Sequence, residues 1–121
     1  MTLPHIEATG NVVGDPELRF TNAGKAVANF RLACNARYYD KDAGEWRDGD
    51  TTFIGVDVWN QAEAVAEQVK RGTKVTVVGE LAQREWEADG QKRTAYLIKA
   101  STVAEVVREF TPRASEGSAP F

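Results

Sequence analysis

Phe53 and Trp59 stand six residues apart in TTFIGVDVWN (Thr51 to Asn60). An extended strand drawn through them puts both rings on one face, with Gly55 and Asp57 between them, and sends Ile54, Val56 and Val58 to the other. Two large aromatics thus occupy the polar side of a strand. The pattern recurs in QREWEA, where Trp86 shares its parity with Glu80, Ala82 and Arg84 and points away from Val77, Gly79 and Leu81. Tyr38 and Tyr39 form RYYD, expected as a polar loop that runs on through KDAGEWRDGD, where Trp46 precedes Arg47. Arg37, Lys41, Arg47 and Arg84 lie close in sequence to these rings.

Flat rings interleaved with cations make a stacking surface for unpaired bases, because every base has a free π-face and its phosphate attracts Lys and Arg. Gly55 removes a side chain where a base could lie close. Asp57 would repel a phosphate, so it suits accepting hydrogen bonds from an arginine or a base edge. Exposed Trp and Tyr also cover subunit contacts, and the pattern alone leaves that alternative open.

Catalytic chemistry has little to work with. His5 is the sole histidine and Cys34 the sole cysteine, so no disulfide, Cys/His pair or zinc site is expected. Cys34 shares its parity with Phe30 and Leu32 and reads as a buried apolar residue. Acidic residues are spread evenly and no glycine-rich phosphate loop occurs. The chain is therefore read as a non-enzyme without metal or cofactor, with a small hydrolase of unrecognised site as a rival. The 15 basic and 18 acidic residues give a net charge of −3. That sum argues only weakly against a polyanionic partner, which responds to the local face.

The elements that must position these residues follow from periodicity. With 121 residues, 42% hydrophobic and 27% charged, the chain fits one soluble domain. No apolar run spans a bilayer, and MTLPHIEATG has no signal-peptide pattern, so an intracellular, cytoplasmic protein is expected, with no membrane partner. Residues 1–110 form the patterned domain, and 111–121 (TPRASEGSAPF) read as a short disordered tail. Period two dominates in Ile6 to Val12, Ala26 to Asn35, Thr51 to Asn60, Thr73 to Glu87 and Lys92 to Ala100. Ala88 to Gln91 is a hairpin turn, and Gly79 marks a bend or bulge inside its strand. NQAEAVAEQVKRG carries apolar residues at spacings of three and four, predicting a helix of about three turns. Asn60 would cap it, Lys70 and Arg71 would suit its C-terminal dipole, and Gly72 would end it. Five strands with one helix between the third and fourth is the plan of an all-β OB-fold barrel. An SH3-like barrel would place the helix differently or lack it, and a ferredoxin-like fold needs a second helix, for which STVAEVVREF (Ser101 to Phe110) is the candidate.

GNVVGDPELRFTNAGKAVANFRLA (Gly10 to Ala33), KRGTKVTVVGEL (Lys70 to Leu81) and REW (Arg84 to Trp86) together make the chain resemble the bacterial and phage single-stranded DNA-binding proteins. The resemblance covers Gly10 to about Ala100. It implies an OB-fold, usually a homotetramer, that coats single strands in replication, recombination and repair, with a nucleoid-associated location. Carried over one position at a time, it implies stacking on Tyr38 (Tyr39 as near alternative), Phe53, Trp59 and Trp86, and basic contacts from Arg19, Arg71 and Arg84. Departures are Glu85 and Gln61 where relatives often carry a base, and Gly55 in place of a frequent Arg, which implies weaker binding or a shallower salt dependence. Relatives often end in an acidic tip closing with Pro-Phe that docks on repair and replication enzymes. Here Pro120 and Phe121 remain but Glu116 is the tail's only acid, which leaves partner recruitment open.

Overall fold

The computed structural model describes residues 2–107. Its elements are β1 (His5–Val12), β2 (Glu17–Phe20), β3 (Ala26–Asp40), β4 (Glu45–Val58), α1 (Ala62–Gln68), β5 (Lys74–Ala88) and β6 (Gln91–Glu105). The sheet order is β1-β5-β6-β4-β3-β2, and β1 pairs again with β3 at Asn11↔Ala33 and Val12↔Leu32. β1, β5, β6, β4 and β3 therefore close into a five-stranded ring, with the helix between its third and fourth strands in chain order. This is the expected OB-fold plan. All neighbours run antiparallel except β4 and β6, which run parallel from Gly55↔Leu97 to Val58↔Ala100.

The alternation read in the sequence is what fills the ring. Leu32, Val56, Val75, Val77 and Ile98 are buried almost completely, and Val12, Ala28, Phe30, Ile54 and Val58 join them. Burying each such side chain fully contributes about 1.5–3 kcal/mol, which makes this one apolar interior the main source of stability. Cys34 lies half-buried against the cluster. Desolvation pushes its thiol up from the ordinary value, so the sulfur stays protonated and unreactive at neutral pH.

Three features differ from the sequence expectation. ELRF forms β2, a short strand on the outer edge of β3, with Leu18↔Ala28 and Arg19↔Val27 opposite each other; four residues are too few for alternation to declare. The helix is seven residues long, not three turns. Gln61, not Asn60, precedes it, in a left-handed conformation (φ 60°, ψ 35°) and with no side-chain cap. Tertiary bonds stop the helix early: Val69 is extended and buried in the core, the Arg71 N–H donates to Asp15 Oδ1 at 2.9 Å, and the Gly72 N–H to the Val12 carbonyl at 2.8 Å. Finally, Ser101–Glu105 of the candidate second helix continue β6.

That last difference has a mechanical cause. Val78 pairs with Thr102 but Gly79 with Ala100, so Ser101 is an extra residue in the ladder, its hydroxyl bonded to the Val78 carbonyl at 3.1 Å. The bulge flips the parity of β6: Ile98 and Ala100 face the core before it, and Val103 after it. Gly79 sits where a Cβ would run into the Lys99 carbonyl and come within 2.8 Å of the Ala100 Cα. Gly10 likewise faces the Ala33 carbonyl at the closure of β1 on β3.

Gly79→Ala is expected to destabilise the fold by about 1–3 kcal/mol, the usual cost of overpacking against backbone. Gly55→Ala, whose Cβ meets only Leu97 Cβ at 3.7 Å and Tyr96 O at 3.9 Å, should stay within about 0.5 kcal/mol of the parent. Urea unfolding of the two variants side by side measures the contrast, and equal midpoints would refute this account of the bulge.

Candidate nucleic-acid interface

β4 and β6 are paired only from Gly55 and Leu97 onward. Before that point the β3–β4 and β5–β6 hairpins separate, and an open cleft of about 1600 Å³ lies there. Arg19, Arg31, Phe53, Trp59, Arg84 and Trp86 are among its lining residues. Phe53 and Trp59 reach it because Ile54, Val56 and Val58, one residue out of phase, are committed to the core. These two residues are 53% and 48% exposed and Trp86 is 44% exposed. Exposed aromatics on a wet wall are what stacking requires.

The cleft's polar groups form a connected set. On β3, Asn29 stands opposite Asp57 and Arg31 opposite Gly55. Asn29 Nδ2 donates to Asp57 Oδ1 at 2.6 Å, and Arg84 Nη2 to Asp57 Oδ2 at 3.2 Å. Asp57 thus accepts from an arginine, as its position among the aromatics predicts. The Arg31 guanidinium carbon lies 4.9 Å from the Phe53 ring centroid, a cation–π placement; a glycine at position 55 puts no side chain opposite Arg31. Arg19 Nε pairs with Glu17 at 2.7 Å at the cleft's β2 side.

The expected polar loop is instead an arm. β3 and β4 continue as a two-stranded ribbon with Arg37↔Asp48, Tyr38↔Arg47, Tyr39↔Trp46 and Asp40↔Glu45 in register, after an irregularity between Asn35 and Arg37. The Asp40 carboxylate accepts the N–H groups of Asp42 and Ala43, at 3.0 and 3.2 Å, and closes the turn. Both faces of the ribbon are wet, so no apolar alternation marks it as a strand. Tyr39 and Trp46 meet edge-on at 5.6 Å between centroids. The alternation of β3 puts Arg37 and Tyr39 on the face that continues from Arg31, and Tyr38 on the opposite one. Arg37 pairs with Asp48 at 3.6 Å, and Arg47 with Asp40 at 2.7 Å and Glu45 at 3.3 Å.

Of the residues expected from sequence, the fold gathers Arg19, Phe53, Trp59, Arg84 and Trp86 around the cleft. Tyr38, Tyr39, Arg37 and Arg47 belong to the arm and Lys41 to its turn; Arg71 does not itself line the cleft, but its backbone N–H is bonded to Asp15, which does. Asn29 and Arg31 were missed, although their parity, opposite to Phe30 and Leu32, carries the signal. Among the described residues no cluster of three or more His, Cys, Asp or Glu is arranged to hold a metal ion, and no helix is long and apolar enough to cross a membrane. Pro120 and Phe121 lie outside the described residues.

Comparison with known proteins agrees with this geometry. Residues 4–106 match the Single-strand binding protein family. A single-stranded DNA-binding protein of Mycobacterium leprae is 41% identical over 115 residues, covering 93% of this chain and 68% of the relative. Single-stranded DNA-binding protein 2 of Streptomyces coelicolor is 44% identical over 115 residues, 93% of this chain and 58% of its own length. The crystal structure of a small single-stranded DNA-binding protein from Streptomyces coelicolor shares the fold with a TM-score of 0.79 at 34% identity, over 88% of this chain and 97% of that one. A Plasmodium falciparum protein solved in complex with single-stranded DNA has the same fold at 23% identity and a TM-score of 0.69, again over 88% and 97%. With its OB-fold ring, its cleft of open rings and this agreement along nearly all of its described length, the chain belongs to the single-strand binding protein family.

Proposed function

We propose that this protein binds single-stranded DNA without reading its sequence and protects exposed strands during replication, recombination and repair. The observation that carries the reading is the convergence of Phe53, Trp59 and Trp86, drawn from two strands, on one open cleft that also holds Arg19 and Arg31. Bases stack on these rings, and the strand continues along the arm past Tyr39 or Tyr38. Arg19, Arg37, Lys41 and Arg47 supply cations for the phosphates, with Arg71 next to Asp15 of the cleft wall. The role is binding and not catalysis, and calls for no cofactor. Family kinship supports assembly as a homotetramer and a cytoplasmic, nucleoid-associated site of action, with residues 1–110 as the binding domain. Glu116 as the sole acid of 111–121 gives the tail little charge with which to engage a basic pocket on a replication or repair enzyme.

Exposed ion pairs such as Arg19–Glu17 (side chains 65% and 63% exposed) contribute roughly 0–1 kcal/mol, so a phosphate can take the place of the carboxylate. Local charge then matters more than the net −3.

Titration with oligo(dT) of about 30 to 70 nucleotides should quench tryptophan fluorescence and retard the protein on a gel at low salt. Absence of both effects would refute the reading in favour of an interaction module whose rings serve self-association. Trp59→Ala and Trp86→Ala should each cost about 1–3 kcal/mol of binding, and equally on strands of different base composition. That range comes from single-strand binders of this family, not from the present geometry. Loss confined to one sequence would mean base readout. Gly55→Lys has space for its Cβ and should steepen the slope of log K against log salt by about 0.7, one added phosphate contact to a single strand; an unchanged slope would place the backbone elsewhere.

A further inference from the structure

Asp57 is a carboxylate of the cleft wall, and its side chain is the least exposed of the ion-pair acids, 16% against 25% for Asp40 in the arm, 63% for Glu17 and 77% for Asp48. Both of its oxygens are engaged, one by Asn29 and one by Arg84. An incoming phosphate displaces an exposed carboxylate from its arginine at little cost, because water receives the released acid. Asp57 has no such outlet. Stripped of Arg84, it would be a shielded negative charge facing a polyanion, so Arg84 stays with Asp57 when DNA enters.

The consequence for Arg84 is geometric. One end of its guanidinium is held at Asp57, two residues before Trp59, while its own backbone lies two residues before Trp86 on β5. The Arg84 side chain remains 61% exposed. What a guanidinium anchored edge-on has left to offer is its flat face, on which a base can stack as on an aromatic ring. The same cleft already places a guanidinium over a ring, the Arg31 carbon 4.9 Å from the Phe53 centroid.

We propose that Asp57, assisted by Asn29, is a positioning residue that fixes Arg84 as a planar platform for a base and withholds it from the phosphates. The inference rests on the single-stranded DNA reading above. It is tested with the full chain and oligo(dT), by measuring affinity across a salt series for the parent, Arg84→Lys and Asp57→Asn. Arg84→Lys keeps the charge and loses the plane; binding should fall roughly five- to hundredfold with the salt slope unchanged. Asp57→Asn keeps the shape and frees the arginine; the slope should steepen by about 0.7 as Arg84 turns to a phosphate. Parent-like affinity in Arg84→Lys, or a parent-like slope in Asp57→Asn, would overturn the proposal while leaving DNA binding intact. A parent chain that does not bind oligo(dT) would overturn the DNA reading and this inference together. Because loss of folding would not steepen a salt slope, the Asp57→Asn result separates positioning from a merely structural role.

Discussion

Closure of the ring where β1 meets β3 is the constraint on which the rest of the structure depends. Asn11 and Val12 pair with Ala33 and Leu32, and this approach is possible because Gly10 presents no Cβ to the Ala33 carbonyl. Once the ring is closed, one side of every strand is inside. The interior takes Leu32, Val56, Val77 and Ile98, and strict alternation then leaves their chain neighbours no place but the outside. Phe53 and Trp59 are exposed as a consequence of where Ile54, Val56 and Val58 must go. The hydrophobic effect that would bury two aromatics is overruled by a larger apolar set on the same strand.

The same closure makes the cleft. Only four positions pair between β4 and β6, from Gly55 to Val58, so the two long hairpins part before Gly55 and expose facing walls. Rings and cations line the gap because the hairpins bring their outward faces to it. The cleft's open shape and its mixed lining favour a ligand that is flat, variable and charged along one edge, which is the chemistry of an unpaired nucleic-acid strand. Electrostatics is arranged locally within this shape. Arginines of the cleft and the arm pair with carboxylates of unequal exposure, from Asp48 in the open to Asp57, the most shielded.

Alternation is local, and whatever depended on it could be read directly: the core face of β4, the wet placement of Phe53, Trp59 and Trp86, and, with the turn signal at Asp89–Gly90, the irregularity at Gly79. Arg31 and Asn29 obeyed the same rule but were missed, since neither lies beside an aromatic of the wet face in sequence. The elements that escaped were those where alternation is absent or broken. The arm from Arg37 to Asp48 has two solvated faces and therefore no apolar period. Ser101 shifts the parity of β6 by one residue, so its two-residue period does not run unbroken to Glu105. α1 lost its last turn to Val69, Arg71 and Gly72, each of which is held by a residue or core distant in sequence.

By itself, then, the sequence determined which side chains are apolar, which are flat and which are charged, and on which face of a strand each one falls, because the two-residue period of an extended chain is a property of the backbone. Only the tertiary structure decided which faces meet. The union of β3, β4 and β5 around Asp57, the separation of the hairpins and the pairing of Arg84 with a shielded carboxylate join residues up to 28 positions apart. Nothing in a local period encodes such distances; they follow from how the ring closes.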